Sequence, residues 1–237
     1  MKKRIWGSLP SAMPLGGREQ HAIMRRDISD VLLEHRTIML WDDVDEDSSR
    51  AIVTRILALI ADEPYAPIQL VINSYGGSVT NCLAIYDALQ SVPAGIQTIC
   101  FGVAYSAGAL LLAAGSKGNR LILPNAEVMI HELSAWVGGS YADIRIQKEH
   151  LDAMQKRLTG ILAKHTGKPE ETIAADTARD KFFSAEDAVK YGLADEVVNG
   201  PAVFCNPPSA KRRRRKKAKK PAGPAPDGNP SPEPEKK

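Results

Sequence analysis

The chain reads as an α/β fold built on a largely parallel sheet, and three observations predict it. Short apolar runs of strand length alternate with helix-period segments from residue 28 to about residue 199, the order in which crossover helices return a chain to a parallel neighbour. Most of the runs stop at Gly, Pro, Ser or Asn before the next helical stretch. At 237 residues the chain can also bury a core large enough to fold without disulfide staples.

The elements follow in order. Thr37 to Trp41 is a short strand, and Ser48 to Ala61 places Ile52, Ile56, Leu59 and Ile60 on one helical face. Ile68 to Asn73 is the next strand. Ser74-Tyr75-Gly76-Gly77 breaks the pattern, and a helix runs from about Ser78 to Gln90, ended by Pro93. Ile96 to Phe101 is a strand, and after Gly102 the chain turns into a helix of small residues, Ser106 to Ala114. Two short strands follow, Arg120 to Leu123 and Val128 to His131. The segment Tyr141 to His165 carries Ile144, Leu151, Met154, Leu158 and Leu162 at spacings of 7, 3, 4 and 4, a helix too long for a plain crossover. A last helix, Ser184 to Tyr191, opens on Ser184-x-x-Asp187, a variant of the capping box, and stops at Gly192.

The two ends read differently. Residues 1–27 mix Gly, Pro, Ser and charge without a period and are expected to form an arm. Residues 201–237 are rich in Pro, Gly, Lys and Arg, with too little apolar surface to offset ordering entropy, and are expected to be disordered. From Pro207 onward eleven basic residues face three acidic ones, a balance of +8, so the rest of the chain is near −5 although the whole is +3. The run Lys211 to Lys220 would attract polyanions without reading their sequence, or act as a solubilising tail. Three cysteines, Cys82, Cys100 and Cys205, fit no metal or redox spacing. No apolar stretch reaches the roughly 20 residues of a membrane span, and no secretory signal is evident behind Met1-Lys2-Lys3-Arg4. A reducing, cytoplasmic location is expected.

Metal and phosphate chemistry find little support. His131-Glu132 opens like a zinc-protease helix, but the position that must hold the second His is Ala135. Gly115-Ser116-Lys117-Gly118 lacks the spacing of a phosphate loop.

Ser106 is a better candidate, because Ala104-Tyr105-Ser106-Ala107-Gly108 lies where an apolar strand gives way to a helix of small residues. Small neighbours admit a substrate backbone, and a helix start offers free N–H groups to an oxyanion. The same position also suits a simple N-cap. Gly76-Gly77 can present a second N–H, or merely turn the chain. His131 ends an apolar strand, where an imidazole serves structure or catalysis. Asp180 precedes Phe182-Phe183, where a carboxylate closes a turn, makes a salt bridge or orients a base. The chain order Ser, His, Asp differs from the orders of chymotrypsin, subtilisin and the α/β-hydrolases.

Four blocks in this order resemble the Clp protease proteolytic subunit, the ClpP family of serine peptidases. They are Ile72-Asn-Ser-Tyr-Gly-Gly77, Gly102-Val-Ala-Tyr-Ser-Ala-Gly-Ala109, Leu123-Pro-Asn-Ala-Glu-Val-Met-Ile-His131, and Asp176-Thr-Ala-Arg-Asp180 followed by Phe183-Ser-Ala-Glu-Asp-Ala-Val-Lys-Tyr-Gly-Leu193. The resemblance covers about 170 of the 237 residues, within a domain placed at residues 28–200. It implies a ClpP/crotonase-type superhelix of ββα units in which Tyr141 to His165 is a protruding handle. It further implies Ser106 as nucleophile, His131 as general base, Asp180 as the residue orienting the imidazole, and Gly77 and Ala107 as oxyanion-hole positions. The assembly implied is a pair of stacked heptameric rings enclosing the active sites. Unfolded polypeptides would be fed in by a separate AAA+ unfoldase, a Clp ATPase, so that ATP is used by that partner and the subunit itself needs no cofactor.

The chain departs from the family's pattern at several places. After His131 the family has Gln-Pro and then a Gly-Gly pair, and here Glu132-Leu133-Ser134-Ala135-Trp136 stands. Ala178 occupies a commonly acidic position, Tyr105 replaces a small residue, and Gln69 and Val71 replace aromatics of the unfoldase-docking pocket, while Phe101, Leu121 and Leu123 stay apolar. These departures suggest a divergent member that assembles with itself or with a second proteolytic subunit. Two other functions fit parts of the pattern: a non-catalytic ring subunit, and a crotonase-like enzyme acting on acyl thioesters through oxyanion-hole chemistry.

Overall fold

A computed structural model describes residues 28–199, so the expected N-terminal arm and the expected disordered, polyanion-binding tail lie outside the described residues. Strands β1 (Thr37–Leu40), β2 (Ile68–Ser74), β3 (Ile96–Tyr105), β4 (Arg120–Ile122) and β7 (Glu196–Val197) lie side by side in parallel. The far end of β3 pairs in parallel with β5 (Glu127–Ile130), and β6 (Lys181–Phe183) runs antiparallel to β5. The helices are α1 (Ile28–Glu34), α2 (Glu46–Asp62), α3 (Val79–Gln90), α4 (Ala107–Ala113), α5 (Tyr141–Thr166), α6 (Glu170–Thr177) and α7 (Ala185–Tyr191). This is the mixed α/β architecture expected from the sequence. No helix among the described residues is long and apolar enough to cross a membrane.

The core joins the sheet to α2, α3 and α4 and takes in Leu162 of α5, Ile173 of α6 and Ala185 and Ala188 of α7. Every residue of β2 except Asn73 is buried, as is every residue of α4, so the two apolar segments sit at the centre. α2 turns Ile52, Ile56 and Leu59 inward, each burial contributing about 1.5–3 kcal/mol, whereas Ile60 stays half-buried at the edge. The helix begins two residues earlier than its apolar period suggests. Asp45 is the N-cap, accepting from the Ser48 amide at 2.8 Å while the Ser48 hydroxyl accepts from the Asp45 amide at 2.9 Å.

β3 does not stop at Phe101. Gly102 adopts φ +65°, and the Asn73 side chain accepts from the Val103 amide at 3.1 Å, bridging a bulge between the pairs Ile72–Cys100 and Ser74–Ala104. A Cβ on Gly102 would lie 2.6 Å from the Asn73 amide oxygen, so the bulge requires glycine. Before the bulge β3 pairs with β4, and after it with β5. One strand thereby joins the core sheet to the small β3–β5–β6 sheet that carries the candidate site.

α5 spans 26 residues, about 39 Å, and buries only Thr159 and Leu162. Its apolar positions do not form one packed face: Ile144 is exposed, and Leu151, Met154 and Leu158 are only half-buried. A capping box at Ser140 starts it and Gly167 in the left-handed conformation ends it. Beneath its C-terminus the Arg120 side chain donates to both carboxylate oxygens of Asp195 at 2.9 and 2.6 Å and to the carbonyls of His165 and Gly192, tying β4, α5 and the approach to β7 together.

Gln69 and Val71, expected at a docking pocket, are each only 3% exposed. The Gln69 side-chain amide donates to the Gln97 side-chain oxygen at 2.6 Å and accepts from the Thr37 hydroxyl at 3.3 Å, a polar rung across β1, β2 and β3. Neither side chain offers a contact surface on the described protomer.

Candidate active site

Ser106 is held by the end of β3. Its amide donates to the Met129 carbonyl at 2.8 Å, extending the β3–β5 pairing by one bond, and the Leu110 amide of α4 donates to its carbonyl at 3.2 Å. Caught between a strand and a helix, Ser106 takes φ +53° and ψ −115°. A non-glycine residue in that conformation costs about 1–3 kcal/mol, which the flanking elements must hold in place. It is therefore not the ordinary N-cap that the sequence also allowed, and its side chain makes no capping bond.

Opposite it runs the glycine turn. Gly76 has φ +104° and Gly77 φ +142°. The Val44 amide donates to the Gly76 carbonyl and the Ser78 amide to the Val44 carbonyl, each at 2.7 Å, so a single parallel bridge fixes the turn. In that bridge the Gly77 N–H points away from Val44. A Cβ on Gly76 would lie 2.8 Å from the Ser106 Cβ, and one on Gly77 2.5 Å from the Val44 carbonyl oxygen. Ala107 opens α4, where the first amides have no acceptor within the helix. Gly77 and Ala107 line the same cleft as Ser106.

His131 follows β5 directly. Its Nε2 stands 2.8 Å from the Ser106 Oγ, and its Nδ1 stands 3.5 Å from the Asp180 Oδ1. The first distance is that of a good hydrogen bond; the second is a close contact about 0.3 Å beyond hydrogen-bond range. Asp180 lies between α6 and β6, and its side chain is 59% exposed against 29% for His131. The Glu132 amide donates to the Thr177 carbonyl at 2.6 Å, fastening the residue after His131 to the end of α6. All three sequence-predicted side chains are thus brought together, with Gly77 of the glycine turn and Ala107 of the helix start lining the same cleft. The chain segments responsible, β5 and β6, pair Ile130 with Lys181 and Met129 with Phe182.

A cleft of about 270 Å³ opens beside Ser106. Val79, Cys82, Leu110, Met129, Leu158 and Leu162 give it an apolar wall, and Glu132, Leu133 and Ser134 form its rim. Cys82 is no rival nucleophile: burial pushes its thiol up to about 12, and its sulfur sits 3.6 Å from the Ala107 carbonyl. Among the described residues no group of three or more His, Cys, Asp or Glu is placed to hold a metal ion.

Sequence reasoning missed what surrounds these groups. Tyr105 packs edge-to-face between Tyr75 and Phe182, with ring centroids 5.6 Å apart in both pairs, and its hydroxyl donates to Glu127, which raises the phenol to about 12. The bulky residue before the serine therefore faces away from the cleft and links the glycine turn to β6. The signal was present only as three aromatics at unrelated spacings, which no periodicity connects.

A family model described as Clp protease matches residues 19–201. That span covers the whole sheet, the glycine turn, Ser106, His131 and Asp180.

Proposed function

This chain belongs to the Clp protease family, and from that premise we propose that it is a serine endopeptidase, the proteolytic subunit of a self-compartmentalising Clp complex. The observation that carries the reading is the 2.8 Å contact between His131 Nε2 and the hydroxyl of Ser106. A hydroxyl becomes a useful nucleophile only when a base removes its proton as it attacks.

In the proposed reaction the Ser106 oxygen attacks the scissile carbonyl while His131 takes its proton. The negative charge that develops on the carbonyl oxygen is met by the amides of Gly77 and Ala107, donors fixed before substrate arrives. Asp180 holds the ring so that Nε2 faces the serine, and stabilises the imidazolium. His131 then gives its proton to the leaving amine, forming the acyl-enzyme. Water, deprotonated by the same imidazole, releases the acid. The apolar wall of the cleft supports a preference for an apolar side chain next to the cleaved bond.

At the level of the assembly, we propose ring formation, feeding of unfolded chains by a separate Clp ATPase, and ATP use by that partner. The long exposed helix α5 supports ring contacts. A fluorophosphonate probe should label Ser106, and Ser106→Ala should abolish labelling and lower peptide turnover by about 10⁶-fold. Labelling or turnover that survives the substitution overturns the assignment.

A further inference from the structure

The weakest link of the proposed relay is the contact between His131 and Asp180. Asp180 stands on a three-residue connection, Ala178-Arg179-Asp180, between α6 and β6, with its carboxylate half in solvent. One carboxylate spans both ends of that connection. Asp176, in the last turn of α6, bonds through Oδ1 to the ammonium of Lys181, the residue after Asp180, and through Oδ2 accepts from the Tyr191 hydroxyl of α7 at 2.7 Å. The Lys181 ammonium also lies 5.4 Å from the centroid of the Tyr191 ring and 5.7 Å from that of Phe183, and the Lys168 ammonium 4.4 Å from that of Tyr191. Lys181 in turn pairs with Ile130, the neighbour of His131.

We infer that Asp176 is a positioning residue: clasped by Lys181 and Tyr191, it sets the loop that delivers Asp180 to His131. The charge needed is present in use, because the bonds from Lys181 and Tyr191 hold the Asp176 carboxyl below the ordinary carboxylate range. Tyr191 stays a donor, since burial and the adjacent carboxylate push its phenol up. As a half-exposed ion pair the Asp176–Lys181 contact adds little to global stability. Its value lies in geometry, where a displacement of about 1 Å near the reacting groups costs about 10²-fold in rate.

The inference rests on the serine-relay reading above, and its test separates the two. Asp176→Asn in the full chain keeps an acceptor for Tyr191 and loses the charge that holds Lys181. It should lower kcat about 10²-fold with KM within about twofold, at nearly unchanged thermal midpoint. In an Asp180→Asn background the same change should cost nothing further, because it acts through the group already removed. A crystal structure of the variant should show the Asp180 carboxylate drawn beyond 3.5 Å from His131 Nδ1. Undiminished kcat, an equal loss in both backgrounds, or an Asp180 still in contact overturns the inference. Should Asp176→Asn fail to fold, Tyr191→Phe, which removes one oxygen of the clasp, takes the same readouts with a smaller loss expected. If the parent chain has no Ser106-dependent turnover, the peptidase reading falls, and the variant structures alone decide the clasp.

Discussion

At the scale of single residues, the site is built from backbone conformations that few side chains tolerate. Ser106 at φ +53° and Gly76 at φ +104° face each other, the glycine's missing Cβ leaving room for the Ser106 Cβ 2.8 Å from where it would be. Gly77 and Ala107 line one cleft with Ser106, so the turn and the helix start lie side by side there. Gly76→Ala would place a methyl against Ser106 and 2.9 Å from the Tyr105 carbonyl oxygen, in a conformation that L residues avoid. The expected outcome is a folded protein weakened by about 1–3 kcal/mol in denaturant titration. Peptide turnover should fall by about 10²-fold, more than that loss of stability explains. Full turnover in the variant would show that the turn does not need this approach.

At the scale of elements, what was legible depended on length and period. β2, β3, α3 and α5 announce themselves by apolar runs or helical spacing, and the four sequence blocks carry all three proposed relay residues. The geometry joining them was not legible, because it is made by β6, three residues long, and by a β3 that passes through Gly102 where the sequence suggests an end. α1, α6 and β7 were missed because, at seven, eight and two residues, they show no period and, unlike α4 and α7, had no glycine or capping signal read at their ends. α5 carries a separate consequence at its C-terminal turn. Burial, with the charges of Lys164 and Arg120, lowers the His165 imidazole from 6.5 to about 4, and its Nε2 lies 3.1 Å from the Tyr86 hydroxyl. The unfolded chain binds this proton below about 6.5 and the folded chain only below about 4, so unfolding takes up a proton between them. Stability from this group is whole above pH 6.5 and is lost as pH falls toward 4. The thermal midpoint should drop across that window, and His165→Gln should flatten the drop. An equal slope in both proteins would place the acid sensitivity elsewhere.

At the scale of the whole molecule, the packed core and the exposed helix make opposite demands. The sheet with α2, α3 and α4 closes on itself, whereas the first two-thirds of α5 stand clear of it with Tyr141 at 85%, Ile144 at 39% and Ile146 at 60% exposure. Helical propensity alone gives a solitary helix of this kind marginal stability, since most helix stability in proteins comes from packing an apolar face. Trp136, on the connection between β5 and α5, is fully exposed too. The proposed ring would give these exposed side chains a partner. Native mass spectrometry should therefore find a species many times the 25.7 kDa of one chain. Ile146→Asp, at a 60% exposed position, should shift the population toward the single chain and lower peptide turnover in proportion, with the protomer's circular dichroism unchanged. A parent protein that is monomeric and fully active would separate the peptidase from any ring.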